Sequence, residues 1–338
     1  MTDLTTKYLG LTLRSPLVAS SSPLCDSVEN ISRLEDHGIA AVVLPSLFEE
    51  QLELESASVD HDLARGAESF AEALSFLPDM QTYNLGPDRY LELIRRAKER
   101  VDIPVIASLN GVTAGGWTEY ARLMQQAGAD AVELNVYAIT TDPLRTGEDV
   151  ENGQCALVSG IRRSLRIPMA VKLSPFISAP ANMGLRLDQA GADALVLFNR
   201  FYQPDFNIDD REVVATLSLS RPEELLMRLH WTAILHGRVR ADLGITGGVH
   251  SAQDVVKCVM AGARVAFMAS ALLKNGVRHA SQVLADLGSW LEAHEFASIA
   301  EMCGSMSRDA VSDASAYERG NYMKVLSSYT LKSGAFDD

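Results

Sequence analysis

Short apolar runs alternate along the chain with longer segments whose apolar residues recur every three or four positions. One phrase marks the junctions: HGIAAVVL (37–44), QAGADAVEL (126–134), QAGADALVL (189–197) and MAGARVAFM (260–268). Each time an amphipathic segment ends at Gly and a β-rich run begins at once. A left-handed Gly closes a helix in this way, and the small residues after it let a strand start directly. The runs PLVAS, PVIASLN and PMAVKLS are of strand length too. The pattern predicts eight strands, at 17–20, 41–45, 105–110, 131–136, 170–174, 194–199, 241–246 and 265–270.

Helical segments such as PDRYLELIRRAKERV, WTEYARLMQQAG and SAQDVVKCVMAGA separate these strands. Continuous apolar strands between helices mean a parallel sheet covered on both faces. Eight of them in 338 residues favour an α/β fold of the closed (β/α)8, or TIM, barrel type over an open sheet. No low-complexity linker divides the chain, so residues 1–300 are expected to form one barrel. Residues 301–338 then form a polar C-terminal extension, packed on the barrel or on a partner. Two connections, 47–87 and 200–221, are longer than a minimal barrel needs. Both follow strands, and both therefore emerge at the C-terminal face, where long loops build sites.

Composition narrows the partners. The 44 acidic and 30 basic residues give a net charge of -14, which argues against nucleic acid and anionic membrane surfaces. The N-terminal stretch has no apolar signal core and no run approaches membrane-spanning length, so a cytoplasmic location is expected. Four scattered cysteines without CxxC spacing suit neither a disulfide framework nor an iron–sulfur site. The histidines show no metal-ligand spacing, and no metal is expected.

In such a barrel the polar residues at strand C-termini face the site. Ser20, Ser108, Asn110, Asn135, Lys172, Asn199, the TGG of the seventh strand and Ser270 hold these positions. Gly247 and Gly248 allow backbone amides to approach a ligand, Ser251 can cap the next helix, and Ser270 follows the last strand. Loops after strands seven and eight are the usual phosphate site, so a phosphate is expected there. Lys172 lies inside an apolar strand, where an unpaired ammonium is costly. It suits either a Schiff base or a fixed charge against an anionic ring. Asn84, Asn110, Asn135 and Asn199 together could hydrogen-bond the edges of a planar imide or amide, but could not move protons.

These residues in this order resemble the dihydroorotate dehydrogenase family of FMN barrels. The motifs are SPLVASSS, YNLGPDRYLE, AVELNV, MAVKLSPF, ALVLFN, GITGGVHSAQDVVKCVMAGA and VAFMASALL. The opening TTKYLGLTLRSPLVAS is like the soluble class. The resemblance implies an FMN-dependent oxidoreductase acting on a CH–CH donor, dihydroorotate or a related compound, with a place in pyrimidine biosynthesis. Ala19, Ser20 and Ser108 would belong to the flavin site, and Asn135 would touch both ring and substrate. Lys172 would set positive charge at the ring's N1–O2 edge, which decides for the electrostatic role over the Schiff base. Gly247, Gly248 and Ser270 would hold the phosphate, Asn84 and Asn199 the substrate. The resemblance also implies a homodimer.

The departures are specific. Where the family carries a Cys or Ser base after the fourth strand, this chain has Ala138, preceded by Tyr137. An Asn later in that loop is Thr140, and a Lys after the second strand is replaced by Pro45 and Ser46. The glycine-rich stretch before helix six reads SRPEELLMRLHW. Tyr137 is the catalytic candidate in place of the base, giving a proton if the enzyme runs as a reductase; Thr140, Asp142 and Cys25 are further candidates. Two other readings stand beside this one: a flavin-free phosphate-binding lyase or isomerase using Lys172, and a non-catalytic flavin-binding subunit. With no GxGxxG motif for NAD, a separate electron-transfer partner or a soluble oxidant is left open.

Overall fold

The structure is a computed structural model that describes residues 2–48, 86–111, 117–136, 139–200 and 203–328. The apolar runs pair in parallel, in the order of the chain, into a closed eight-stranded barrel. The strands are β1 (Leu17–Ala19), β2 (Val42–Phe48), β3 (Val105–Asn110), β4 (Ala131–Asn135), β5 (Met169–Leu173), β6 (Ala194–Leu197), β7 (Asp242–Thr246) and β8 (Val265–Met268). The α/β barrel expected from the periodicity is therefore the fold. Asn84, Tyr137, Ala138 and most of the connection 47–87 lie outside the described residues.

The recurring phrase does more than stop helices. Gly191 and Gly262 close their helices at φ +102° and +114°, the left-handed conformation a side chain resists. The Asp after the Gly–Ala then staples the preceding strand. Asp130 accepts from the Val105 amide at 2.7 Å and pairs with Lys98. Asp193 accepts from the Met169 amide at 2.8 Å and pairs with Arg162. These bonds fix the stagger of neighbouring strands, which sets the height at which their last residues reach the mouth.

Inside the barrel, small residues such as Ala131, Ala170 and Ala194 meet Val18, Val196 and Phe267. An antiparallel hairpin, Thr6–Tyr8 with Leu11–Leu13, closes the N-terminal end. Its Tyr8 ring packs edge-on against Phe267 at 6.0 Å, and the Leu9 amide donates to Asp242 at 2.9 Å. One end is thus filled by packing, which leaves the other for a ligand.

Outside lie α1 (Val28–Asp36), α2 (Pro87–Arg100), α3 (Trp117–Gln126), α4 (Gly147–Arg162), α5 (Pro180–Ala190), α6 (Leu225–Leu235), α7 (Ala252–Ala261), α8 (Ser270–Asn275) and α9 (His279–Ala293). Ser251 caps α7 as expected, in a reciprocal capping box with Asp254. Three strand ends differ from expectation by more than one residue. The second strand runs past Pro45 to Phe48, because a register shift between Val43 and Ser46 accommodates the missing amide. The eighth stops at Met268, so Ser270 begins α8 instead of ending a strand. The sixth stops at Leu197, short of Asn199. The 200–221 connection contains an unforeseen antiparallel hairpin, Asp205–Asn207 with Glu212–Val214. Past α9, backbone bonds from Gly304 to Val259, Met306 to Met260 and Arg308 to Ala233 tie the chain onto α7 and α6.

Candidate active site

Register brings the polar strand ends together. Asn110 of β3 sits opposite Asn135 of β4, and Asn135 opposite Lys172 of β5. Two adjoining cavities of about 630 and 370 Å³ open at this mouth, within the range of small-molecule sites. Lys172, Asn199 and Arg200 line both. The larger also reaches Ser46, Asn110 and Asn135, and the smaller Ser20, Arg228, Gly247, Gly248 and Ser270. The structure therefore joins Lys172, Asn135, Asn199 and the TGG turn in one continuous region.

Lys172 is not the unpaired ammonium that the strand pattern suggests. Its Nζ donates to Glu133 Oε1 at 3.1 Å, and both side chains are buried. Glu133 precedes Asn135 by two residues on β4, so the two side chains face the interior together. A buried pair of this kind keeps a positive charge at the mouth without leaving it uncompensated. It also occupies the amine, which weighs against a Schiff-base nucleophile.

Asn135 is held by two hydroxyls. Its Nδ2 donates to Ser46 Oγ at 2.8 Å and to Ser108 Oγ at 3.1 Å, and those two hydroxyls are 2.8 Å apart. Asn135 Oδ1 is buried without a hydrogen-bond partner. A buried acceptor left open costs about 1–3 kcal/mol, which an N–H of a bound ligand would offset. Ser108 itself is fully buried and lines neither cavity; it acts by orienting Asn135.

Around the TGG turn, Gly247 and Gly248 hold φ +90° and +81°. The Gly248 amide donates to Ser220 Oγ at 3.3 Å, and the Ser220 amide donates to Ser270 Oγ at 3.0 Å. Ser220, at the end of the long connection, thus bridges the loops after β7 and β8, and an anion at the Gly248 amide competes with its hydroxyl. Ser20 Oγ lies 3.4 Å from Thr246 Oγ1 in the same wall. Ala19 lines neither cavity and packs among the residues between strands and helices.

The other base candidates fall elsewhere. Thr140 and Asp142 are exposed and line a separate cavity of about 450 Å³ with Ser174 and Phe176. Cys25 is fully buried, its thiol donating to Ser20 O at 3.7 Å, and burial pushes it up to about 12. It holds its proton at neutral pH and cannot serve as the base. Cys25→Ala is accordingly expected to leave turnover within about twofold of the parent. A steady-state assay checks this, and a loss of tenfold or more at unchanged melting temperature would place the thiol in the chemistry.

Arg228 and Glu133 were missed by sequence reasoning. Glu133 carries the same signal as Lys172, a charge inside an apolar strand. Arg228 carries none, since an Arg on an amphipathic helix reads as a solvated face. Among the described residues no cluster of His, Cys, Asp or Glu could hold a metal ion, and no helix is long and apolar enough to cross a membrane.

Comparison with known proteins agrees with this geometry. The sequence profile of the family described as dihydroorotate dehydrogenase matches residues 3–291. The chain is 28% identical over 309 residues to the dihydroorotate dehydrogenase B (NAD(+)), catalytic subunit, of Thermoplasma acidophilum, covering 90% of this chain and 99% of that one. It is 26% identical over 317 residues to the protein of the same name from Desulforudis audaxviator, with coverages of 88% and 96%. Similarity of 25% over 329 residues extends to the NAD-dependent dihydropyrimidine dehydrogenase subunit PreA of Escherichia coli K12, covering 91% and 78%.

Proposed function

The chain belongs to the dihydroorotate dehydrogenase family, and from that premise we propose that it is an FMN-dependent oxidoreductase. Its substrate is a flat, amide-bearing small molecule, dihydroorotate or a related CH–CH compound. One observation carries the reading: Lys172, Asn135 and Asn199 border one pair of joined cavities that runs on to the Gly247–Gly248 turn. The open Asn135 acceptor, the paired Lys172 ammonium and the tight turn fit a planar ring with an anionic tail. When bound, FMN supplies the hydride acceptor or donor.

The chain's own residues orient and balance charge. Lys172, steadied by Glu133, places positive charge where a ring gaining a hydride becomes negative. Asn135 accepts from an N–H of ring or substrate, its direction set by Ser46 and Ser108. Asn199, and Asn84 by the resemblance, hold the substrate's polar edge. Ser20, Gly247, Gly248 and Ser270 surround the phosphate end, and Ala19 contributes only to the wall behind it.

Tyr137 is the proposed proton donor in the place of the missing Cys or Ser. The names of the relatives, subunits of NAD-dependent enzymes, support a separate electron-transfer subunit as partner; a homodimer rests on the resemblance alone, and a cytoplasmic location on the lack of an apolar run of membrane-spanning length. Residues 1–300 are proposed as the catalytic barrel and 301–338 as its appendage.

The test is anaerobic. FMN-loaded protein is mixed with dihydroorotate, and separately with dihydrouracil, and the flavin spectrum is followed. Bleaching by either supports the reading and names the substrate class. A flavin that stays oxidised with both, yet reduces photochemically, removes these substrates; one that resists every reductant leaves a binding subunit. With a reducing substrate in hand, unchanged turnover in Tyr137→Phe would remove the proton role of that residue.

A further inference from the structure

Arg228 is the one buried arginine among the described residues, only 4% exposed. It projects from the first turn of α6 beneath the TGG turn and lines the smaller cavity. Its Nε donates to Thr246 O at 2.5 Å and its Nη1 to Glu224 O at 2.5 Å. Both acceptors are carbonyls, which orient the guanidinium without neutralising it. Nη2 makes no hydrogen bond to the described residues, and Arg228 joins no ion pair among them. The nearest acid, Glu224, turns its carboxylate to the Arg221 amide at 2.9 Å and lies 3.9 Å from Arg200.

A buried cation without a counter-ion is costly, and burial accordingly lowers the affinity of Arg228 for its proton. The surroundings nonetheless make room for it. A Cβ on Gly247 would stand 2.8 Å from Nη2, so the absence of a side chain there keeps the guanidinium in place. The fork is thus oriented by two carbonyls, has donors to spare, and borders the same cavity as Gly248 and Ser270.

We propose that Arg228 is the cationic ligand for a phosphate monoester at the end of the smaller cavity, supplying in this chain a side-chain charge beside the backbone amides. That the phosphate is the one on FMN rests on the function proposed above; the anion site itself does not. The consequence is selectivity: the chain distinguishes FMN from riboflavin, its phosphate-free analogue, mainly through Arg228.

The experiment uses flavin-free protein, as the parent, Arg228→Met and Arg228→Lys, with affinities read from quenching of flavin fluorescence. Arg228→Met is expected to weaken FMN by about 10- to 100-fold, the loss of a charge-assisted fork, and riboflavin by less than about threefold. Arg228→Lys recovers part of the FMN affinity and none of the riboflavin difference. In parallel, inorganic phosphate raises the melting temperature of the parent and not of Arg228→Met. Equal losses for FMN and riboflavin, or an unchanged FMN affinity, overturn the assignment and leave the flavin reading intact. Arg228-dependent stabilisation by phosphate without FMN binding does the reverse. Should Arg228→Met fail to fold, Arg228→Gln, which keeps a donor for the Thr246 carbonyl, makes the same comparison.

Discussion

Lys172→Met is expected to slow reduction of the bound flavin by about 100-fold or more and, separately, to destabilise the barrel by about 3–5 kcal/mol. The two effects have different origins. The first follows from removing a positive charge that borders both cavities, where the proposed flavin would become negative on reduction. The second follows from Glu133, whose buried carboxylate loses its only ion-pair partner among the described residues. A second change separates them. Adding Glu133→Gln removes the stranded charge and is expected to restore most of the stability, while flavin reduction stays slow. Urea denaturation reads the stability and stopped-flow absorbance under anaerobic conditions the rate of flavin reduction. If the double variant regains both stability and rate, the charge of Lys172 has no part in the chemistry.

Gly248→Ala is expected to cost about 2–5 kcal/mol of stability and to weaken flavin binding with it. The residue holds φ +81°, and an added Cβ would lie 2.5 Å from the backbone nitrogen of Leu225 and 2.9 Å from its Cα. Backbone atoms at a helix start cannot step aside as a flexible side chain can. The turn after β7 and the first turn of α6 must therefore separate, and Arg228 moves with the helix. Gly10→Ala supplies the control. Gly10 has a similar φ of +72° but nothing within 4 Å of the added carbon, so it isolates backbone strain at about 1–2 kcal/mol. Paired denaturation curves decide: if both variants lose the same stability, the close approach of turn and helix contributes nothing.

The barrel was legible because parallel strands are covered on both faces and so read as continuous apolar runs, four of them introduced by a Gly in a repeated phrase. Strand ends were less so. Pro45 reads as a stop, yet a register shift carries β2 on to Phe48 and thereby brings Ser46 to Asn135. Lys172 was legible as an anomaly, a charge in an apolar strand. Glu133 was the same anomaly one strand earlier, and pairing the two required knowing that β4 and β5 are neighbours in register. Arg228 could not be read at all, because its burial depends on a turn 19 residues later folding over it. Thr140 and Asp142 were candidates only by their closeness to Tyr137 in sequence, and the fold turns them toward a cavity separate from the joined pair.

The central claim is that the joined cavities at the barrel mouth form a flavin site, and stoichiometric titration of flavin-free protein with FMN tests it most directly. The account predicts saturable quenching of flavin fluorescence at one FMN per chain, weakened by Gly248→Ala, which disturbs the turn. Absence of binding in the folded parent, or binding indifferent to that substitution, would contradict it.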